Sequence, residues 1–243
     1  AVLGSDGVFQ KPTTTMSPDL NQPFVTAYCE RTLPGLWEEP LNAFTNLAFI
    51  AAGVLALLQY RRHSAFSTTA HWDFLLLIIL MFAIGLGSGL WHLVPTRFTV
   101  LADVIPILLF MNVYLLSLFH RVFGFKWRGL VLVFFGFQLL NVTAVMEFPR
   151  DVLNGSMFYG PGWLTLLAVA GYLYATKHAL RRRLLAAGGI FTASLAFRTI
   201  DRELCQWVPV GTHFIWHLLN AWLLYVLLSA LISDEAKRHL LKT

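Results

Sequence analysis

The sequence predicts an all-α polytopic membrane protein, a seven-transmembrane helix bundle with its N-terminus outside and its C-terminus in the cytoplasm. Three observations lead there. Hydrophobic residues make up 57% of the 243 residues and charged residues only 13%, with a mean hydropathy of +0.63, more apolar than a soluble domain of this size tolerates. The apolar residues come in continuous runs approaching the ~20 needed to cross a bilayer as a helix, not in the alternation of a β-barrel. Basic residues, finally, collect in alternate loops, the pattern that sets membrane orientation.

Taken in order, residues 1–41 read as an N-terminal extracytoplasmic segment, polar and rich in proline, with a turn at Pro34–Gly35. The chain opens on Ala1 and Met16 follows, so residues 1–15 are expected to be vector-derived and stand outside the fold argument. No cleavable signal peptide is visible, and the first span is expected to act as the insertion signal. Spans are placed at about 42–60, 73–93, 98–119, 127–146, 159–178, 184–200 and 212–232. The transmembrane domain is thus 42–232, and 233–243 is a short cytoplasmic tail.

Odd-numbered loops carry Arg61 and Arg62, then Arg121, Lys126 and Arg128, then Lys177 and Arg181 to Arg183. Even-numbered loops offer Arg97, Arg150, and Arg198 with Arg202, the last two diluted by Asp201 and Glu203. The odd loops are therefore cytoplasmic, in agreement with Lys237, Arg238 and Lys242 in the tail. This asymmetry accounts for the net charge of +5, so no nucleic-acid partner is expected. Trp72, Trp127 and Trp207 fall at span ends and read as interface anchors.

Polar residues inside the spans mark the function. The stretch Gly85–Asp103, GLGSGLWHLVPTRFTVLAD, carries Ser88, His92 and Asp103, and Thr212–Ala221, THFIWHLLNA, carries His213 and His217. Such groups are costly at membrane depth unless paired. The topology puts all five near the outer surface, on three spans far apart in sequence. His213 and His217 lie one helical turn apart and reach the same ion; His92 completes a three-histidine zinc site with an open position for water. Asp103 would orient or deprotonate that water, and Ser88, one turn before His92, would hydrogen-bond it or a developing oxyanion. His63, His71, His120, His178 and His239 sit in cytoplasmic loops or the tail and receive no chemical role. Cys29 and Cys205 both fall outside, where they either bridge or remain two free thiols.

A serine-protease reading of GLGSG fails at Leu86, where the intramembrane rhomboid pattern and the nucleophile elbow both want glycine. A transporter would place ionisable residues at several depths, whereas these cluster at one.

At these residues the chain resembles the alkaline ceramidase family, within a seven-helix membrane hydrolase superfamily that also includes adiponectin-receptor-like proteins. The pattern is Ser88, His92, Asp103 and the His213–His217 pair, with Pro95–Thr96 between. Tyr28–Glu30, Glu39–Asn42 with Thr45–Asn46, and Asp201–Arg202 with Cys205 are similar to the same family. The resemblance implies zinc held by three histidines and hydrolysis of the amide of ceramide or a related N-acyl lipid. It implies a Cys29–Cys205 disulfide, a membrane-lipid substrate, and calcium held by Glu30, Glu39 and the Tyr28 carbonyl. At that calcium site Ala27 and Thr32 depart from the family pattern. The alternative on the same scaffold is a lipid sensor or receptor, for which the tail SDEAKRHLLKT leaves little signalling surface. The expected location is a bacterial inner membrane, with an endoplasmic reticulum or Golgi membrane as the alternative.

Overall fold

The computed structural model describes residues 28–33, 35–63, 70–149 and 152–241. Ala27 and the rest of residues 1–27 therefore lie outside the described residues, as do Pro34, Arg150 and Lys242. The described residues form helices and connecting turns, with a helix in each of the seven predicted stretches. Helices α1 (Pro40–Thr45) and α2 (Leu47–Arg61) run nearly end to end, Pro40 starting the first turn where its missing N–H is harmless. Then come α3 (Trp72–Leu93), α4 (Arg97–Arg121), α5 (Trp127–Glu147), α6 (Gly160–Ala175), α7 (Arg181–Ile200) and α8 (His213–Leu240).

Among the described residues, five rods are long and apolar enough to cross a membrane: Pro40–Arg61, α3, α4, α5 and α8. Helix α6 has only 16 residues, and α7 carries Arg181 to Arg183 and Arg198 within its 20. Helix α8 runs past the expected span end at 232, so the tail is helical to Leu240. A membrane setting also explains α5. Phe137 is its one buried residue, while Leu132 and Met146 are 74% and 79% exposed. Apolar surface on that scale belongs against lipid.

Helix α3 is the hub. Its Phe74, Leu77, Met81 and Ile84 are buried in one cluster with Leu228, Leu231 and Ile232 of α8, and it packs on α2 and α4. The α3–α4 turn is fixed by a capping box: Thr96 Oγ1 accepts from Thr99 N–H at 3.1 Å, and Thr99 Oγ1 accepts from Thr96 N–H at 2.8 Å. One turn before His92, Gly87 meets the α4 backbone so closely that a Cβ would overlap the carbonyl of Ala102. That carbonyl is free to be approached because Pro106, four residues on, has no N–H to give it. Close approach of this kind needs a glycine, and it draws Ser88 and His92 toward Asp103.

The far end is held by charge. Asp73 accepts from Arg121 Nε at 2.8 Å and Nη2 at 2.6 Å, and from Ser117 Oγ. Arg121 also lies 3.4 Å from Glu235 of α8. Helices α3, α4 and α8 are thus tied together at the end where α3 begins and the other two finish. The polar residues of the opposite end are thereby left at one level.

Candidate metal centre

His92 comes from the last turn of α3, His213 and His217 from the first two turns of α8. One ring nitrogen of each lies within 4.8 Å of the others, and all three side chains are buried. The spacing predicted from HxxxH is realised because α3 and α8 pack side by side with α3 running opposite to α8.

Two of the three rings are oriented by what one nitrogen meets. His92 Nδ1 lies 2.5 Å from Glu39 Oε2, and His217 Nδ1 lies 3.0 Å from Thr45 Oγ1. His217 Nε2 and His213 Nδ1 are buried without a hydrogen-bond partner. Nitrogens left in that condition cost free energy, and a bound divalent ion satisfies them. The chemistry of the set, three imidazoles backed by a carboxylate and a hydroxyl, fits zinc.

Glu39 is fully buried and central. Its Oε1 accepts from Arg31 Nε at 2.6 Å, and its Oε2 accepts from Asn42 Nδ2 at 3.0 Å besides facing His92. Arg31 spends its remaining nitrogens on the carbonyls of Gly35 and His92, both at 2.8 Å. Glu30 accepts from the backbone N–H of Leu41 at 2.7 Å and of Asn42 at 2.8 Å, capping α1 from outside. Burial pushes the Glu30 carboxyl above its ordinary range, and those two N–H groups pull it back. The expected calcium site on Glu30, Glu39 and Tyr28 does not fit this donor set. Glu39 is shared among three protein partners, and the Arg31 guanidinium supplies the positive charge a calcium ion would bring.

Helix α8 is placed by Asp201, which is fully buried. Its Oδ1 accepts from the N–H of Thr212 at 2.6 Å and of His213 at 2.9 Å, so it caps the helix that carries two of the histidines. Its Oδ2 accepts from Cys29 N–H at 3.2 Å. Gly211 adopts φ 65°, and a Cβ there would overlap the Asp201 carboxylate. Cys29 and Cys205 form a disulfide with Cα atoms 5.1 Å apart, which resolves the bridge-or-thiols alternative and fastens the N-terminal segment over the site.

That segment brings an aromatic partner. The Tyr28 ring stacks on His213 with centroids 3.8 Å apart, and Trp216 stacks on the same imidazole at 5.0 Å. Burial raises the Tyr28 hydroxyl above its ordinary value, and the adjacent Arg198 guanidinium opposes that shift. Ser88 Oγ and Asp103 Oδ1 are both buried, with the Asp103 carboxylate against the Ser88 hydroxyl and in the field of His92. All five predicted site residues are therefore brought together.

Below them lies an apolar cavity. Trp216 and Tyr159 stand at its head, and Phe110, Leu166, Phe191 and Leu223 are among its walls. That apolar lining suits an aliphatic chain. A second group able to hold a metal, His71, Glu235 and His239, belongs to the ion-pair network of Arg121 at the opposite end.

Sequence reasoning placed Glu39 in a calcium site and passed over the roles of Thr45 and Arg198 and the capping role of Asp201. For Glu39 and Thr45 a signal existed, since one stands just ahead of an apolar span and the other is a polar residue in its first turns. Their partners are 53 and 172 residues away and could not be read from it.

The Ceramidase family model matches residues 27–240 of the chain. No curated protein matches it significantly.

Proposed function

The chain belongs to the ceramidase family, and from that premise we propose that it is a zinc-dependent intramembrane amidase for ceramide or a related N-acyl lipid. Family membership supports ceramide hydrolysis in general; the metal and the route are the proposal. The observation that carries it is the junction of three imidazoles, a buried serine and the buried Oδ1 of an aspartate with the head of an apolar cavity.

His92, His213 and His217 would hold the ion, with Glu39 and Thr45 fixing the first and last rings. A zinc ion bound there supplies Lewis acidity and a water acidified toward pH 7. Asp103 takes the proton of the attacking water and passes it to the leaving amine nitrogen, so that a sphingoid base and a fatty acid separate. Ser88 Oγ donates to the carbonyl oxygen as charge develops on it. The cavity receives the acyl chain and keeps water from it. Calcium has no part in this reading.

The two remaining helices, α6 and α7, would complete seven spans with the N-terminus outside. A disulfide between the N-terminal segment and the turn before α8 supports that orientation, since bridges persist on the oxidising side of a membrane. Residues 42–232 would then be the hydrolase domain, in a bacterial inner membrane or an endoplasmic reticulum or Golgi membrane.

Zinc content and amide hydrolysis, measured on purified wild type and His213→Ala, test the proposal. The expected result is about one zinc per chain with hydrolysis in the wild type, and neither in the variant. A wild type that neither binds zinc nor cleaves N-acyl lipids would overturn it.

A further inference from the structure

Arg198 lies near the end of α7, and its Nε and Nη1 are buried with no hydrogen-bond partner. No carboxylate lies within ion-pair distance of it among the described residues. Its contacts are aromatic. The guanidinium carbon is 5.3 Å from the Trp216 ring centroid, 5.5 Å from that of Tyr159 and 5.9 Å from that of Tyr28, and the Tyr28 hydroxyl bonds to it. Aromatic faces stabilise a buried cation, yet they leave N–H donors without an acceptor, and each such donor is costly. An arginine held this way inside a lipid-facing bundle calls for an anion or a strong acceptor that the described residues do not provide.

The surrounding rings locate that acceptor. Tyr28 and Trp216 sandwich His213, so a guanidinium near both stands alongside a metal-binding imidazole. Tyr159 and Trp216 are also walls of the apolar cavity, and Asp103 lies within the guanidinium's field. The unpaired donors therefore sit where the three-histidine centre passes into the acyl pocket. A lipid whose chain fills the pocket has its carboxyl carbon at this junction.

We propose that Arg198 binds the carboxyl oxygens of the acyl group, the carbonyl oxygen of the N-acyl substrate and then the carboxylate of the free fatty acid product. The inference rests on the amidase reading and adds the group that recognises the acyl head. A charge-assisted bond in a water-poor site is among the stronger polar contacts, so the released fatty acid is a product inhibitor of its own formation.

The test compares dodecanoate with 1-dodecanol, which share a chain and differ in the carboxylate, by calorimetric binding to detergent-solubilised wild type, Arg198→Gln and Arg198→Lys. Zinc per chain and melting temperature are measured on the same samples. Dodecanoate affinity should fall about tenfold or more in Arg198→Gln and less in Arg198→Lys, which keeps the charge. Dodecanol affinity and zinc content should stay constant. Dodecanoate binding that is unchanged in Arg198→Gln, or an equal loss for both ligands, overturns the proposal. If the glutamine variant does not fold, Arg198→Lys decides by the same contrast. A wild type free of zinc would instead count against the amidase reading, while the dodecanoate contrast remains readable.

Discussion

Glu39 joins the N-terminal segment to the three-histidine cluster through His92. Replacing it by glutamine leaves Arg31 without its anion and His92 Nδ1 facing a neutral amide. Loss of such an outer partner typically weakens metal binding by about 10–100-fold. Zinc retention of Glu39→Gln in a chelator competition should fall in that range, whereas Thr45→Val, which removes only a hydroxyl from His217, should fall less. Equal retention in wild type and Glu39→Gln would show that the carboxylate serves Arg31 alone. His213 and His217 were legible because a spacing of four places both on one helix face. The partners of Glu39 were not, because a carboxylate next to Arg31, Asn42 and a distant histidine has several choices, and only packing selects among them.

At the scale of elements, the α3–α4 contact decides whether the histidine of one helix meets the aspartate of the other. Gly87→Ala gains up to about 1 kcal/mol of helix propensity. It also drives a methyl group into the Ala102 carbonyl, an overpacking that costs about 1–3 kcal/mol and has no flexible side chain to yield. The collision should win. A lower melting temperature is expected, with hydrolysis falling more than the loss of folded protein explains, because the helices part at Ser88 and Asp103. Gly89→Ala makes a control, since a Cβ there meets nothing nearer than 3.7 Å. Both glycines look alike in GLGSG, and Pro106 looks like a helix defect; that the proline exposes the carbonyl against which one glycine packs is a property of the pair.

At the scale of the molecule, the disulfide links the N-terminal segment to the turn before α8 across 176 residues. Reduction of a native bridge commonly costs about 2–5 kcal/mol. Treatment with a reductant should therefore lower the melting temperature and the rate of hydrolysis while zinc stays bound, because the three ligands sit on α3 and α8 rather than on the tethered segment. Loss of zinc on reduction would mean that Tyr28 and Arg31 hold the centre together. The far-end network of Asp73, Arg121 and Glu235 is expected to keep α3, α4 and α8 in register meanwhile.

The sequence by itself determined the helical membrane class and the helix in each of seven stretches, and it pointed to the five polar residues that the fold brings near one another. Hydropathy and spacing are local, and residues that are expensive inside a bilayer announce themselves. The tertiary structure alone decided that Glu39 and Thr45 meet His92 and His217, that Arg31 pairs with Glu39, that Asp201 caps α8, and that Arg198 is left with donors to offer. Each of those is a choice of partner, across up to 172 residues. Such choices follow from which helix faces pack together, and no single stretch of chain contains that information.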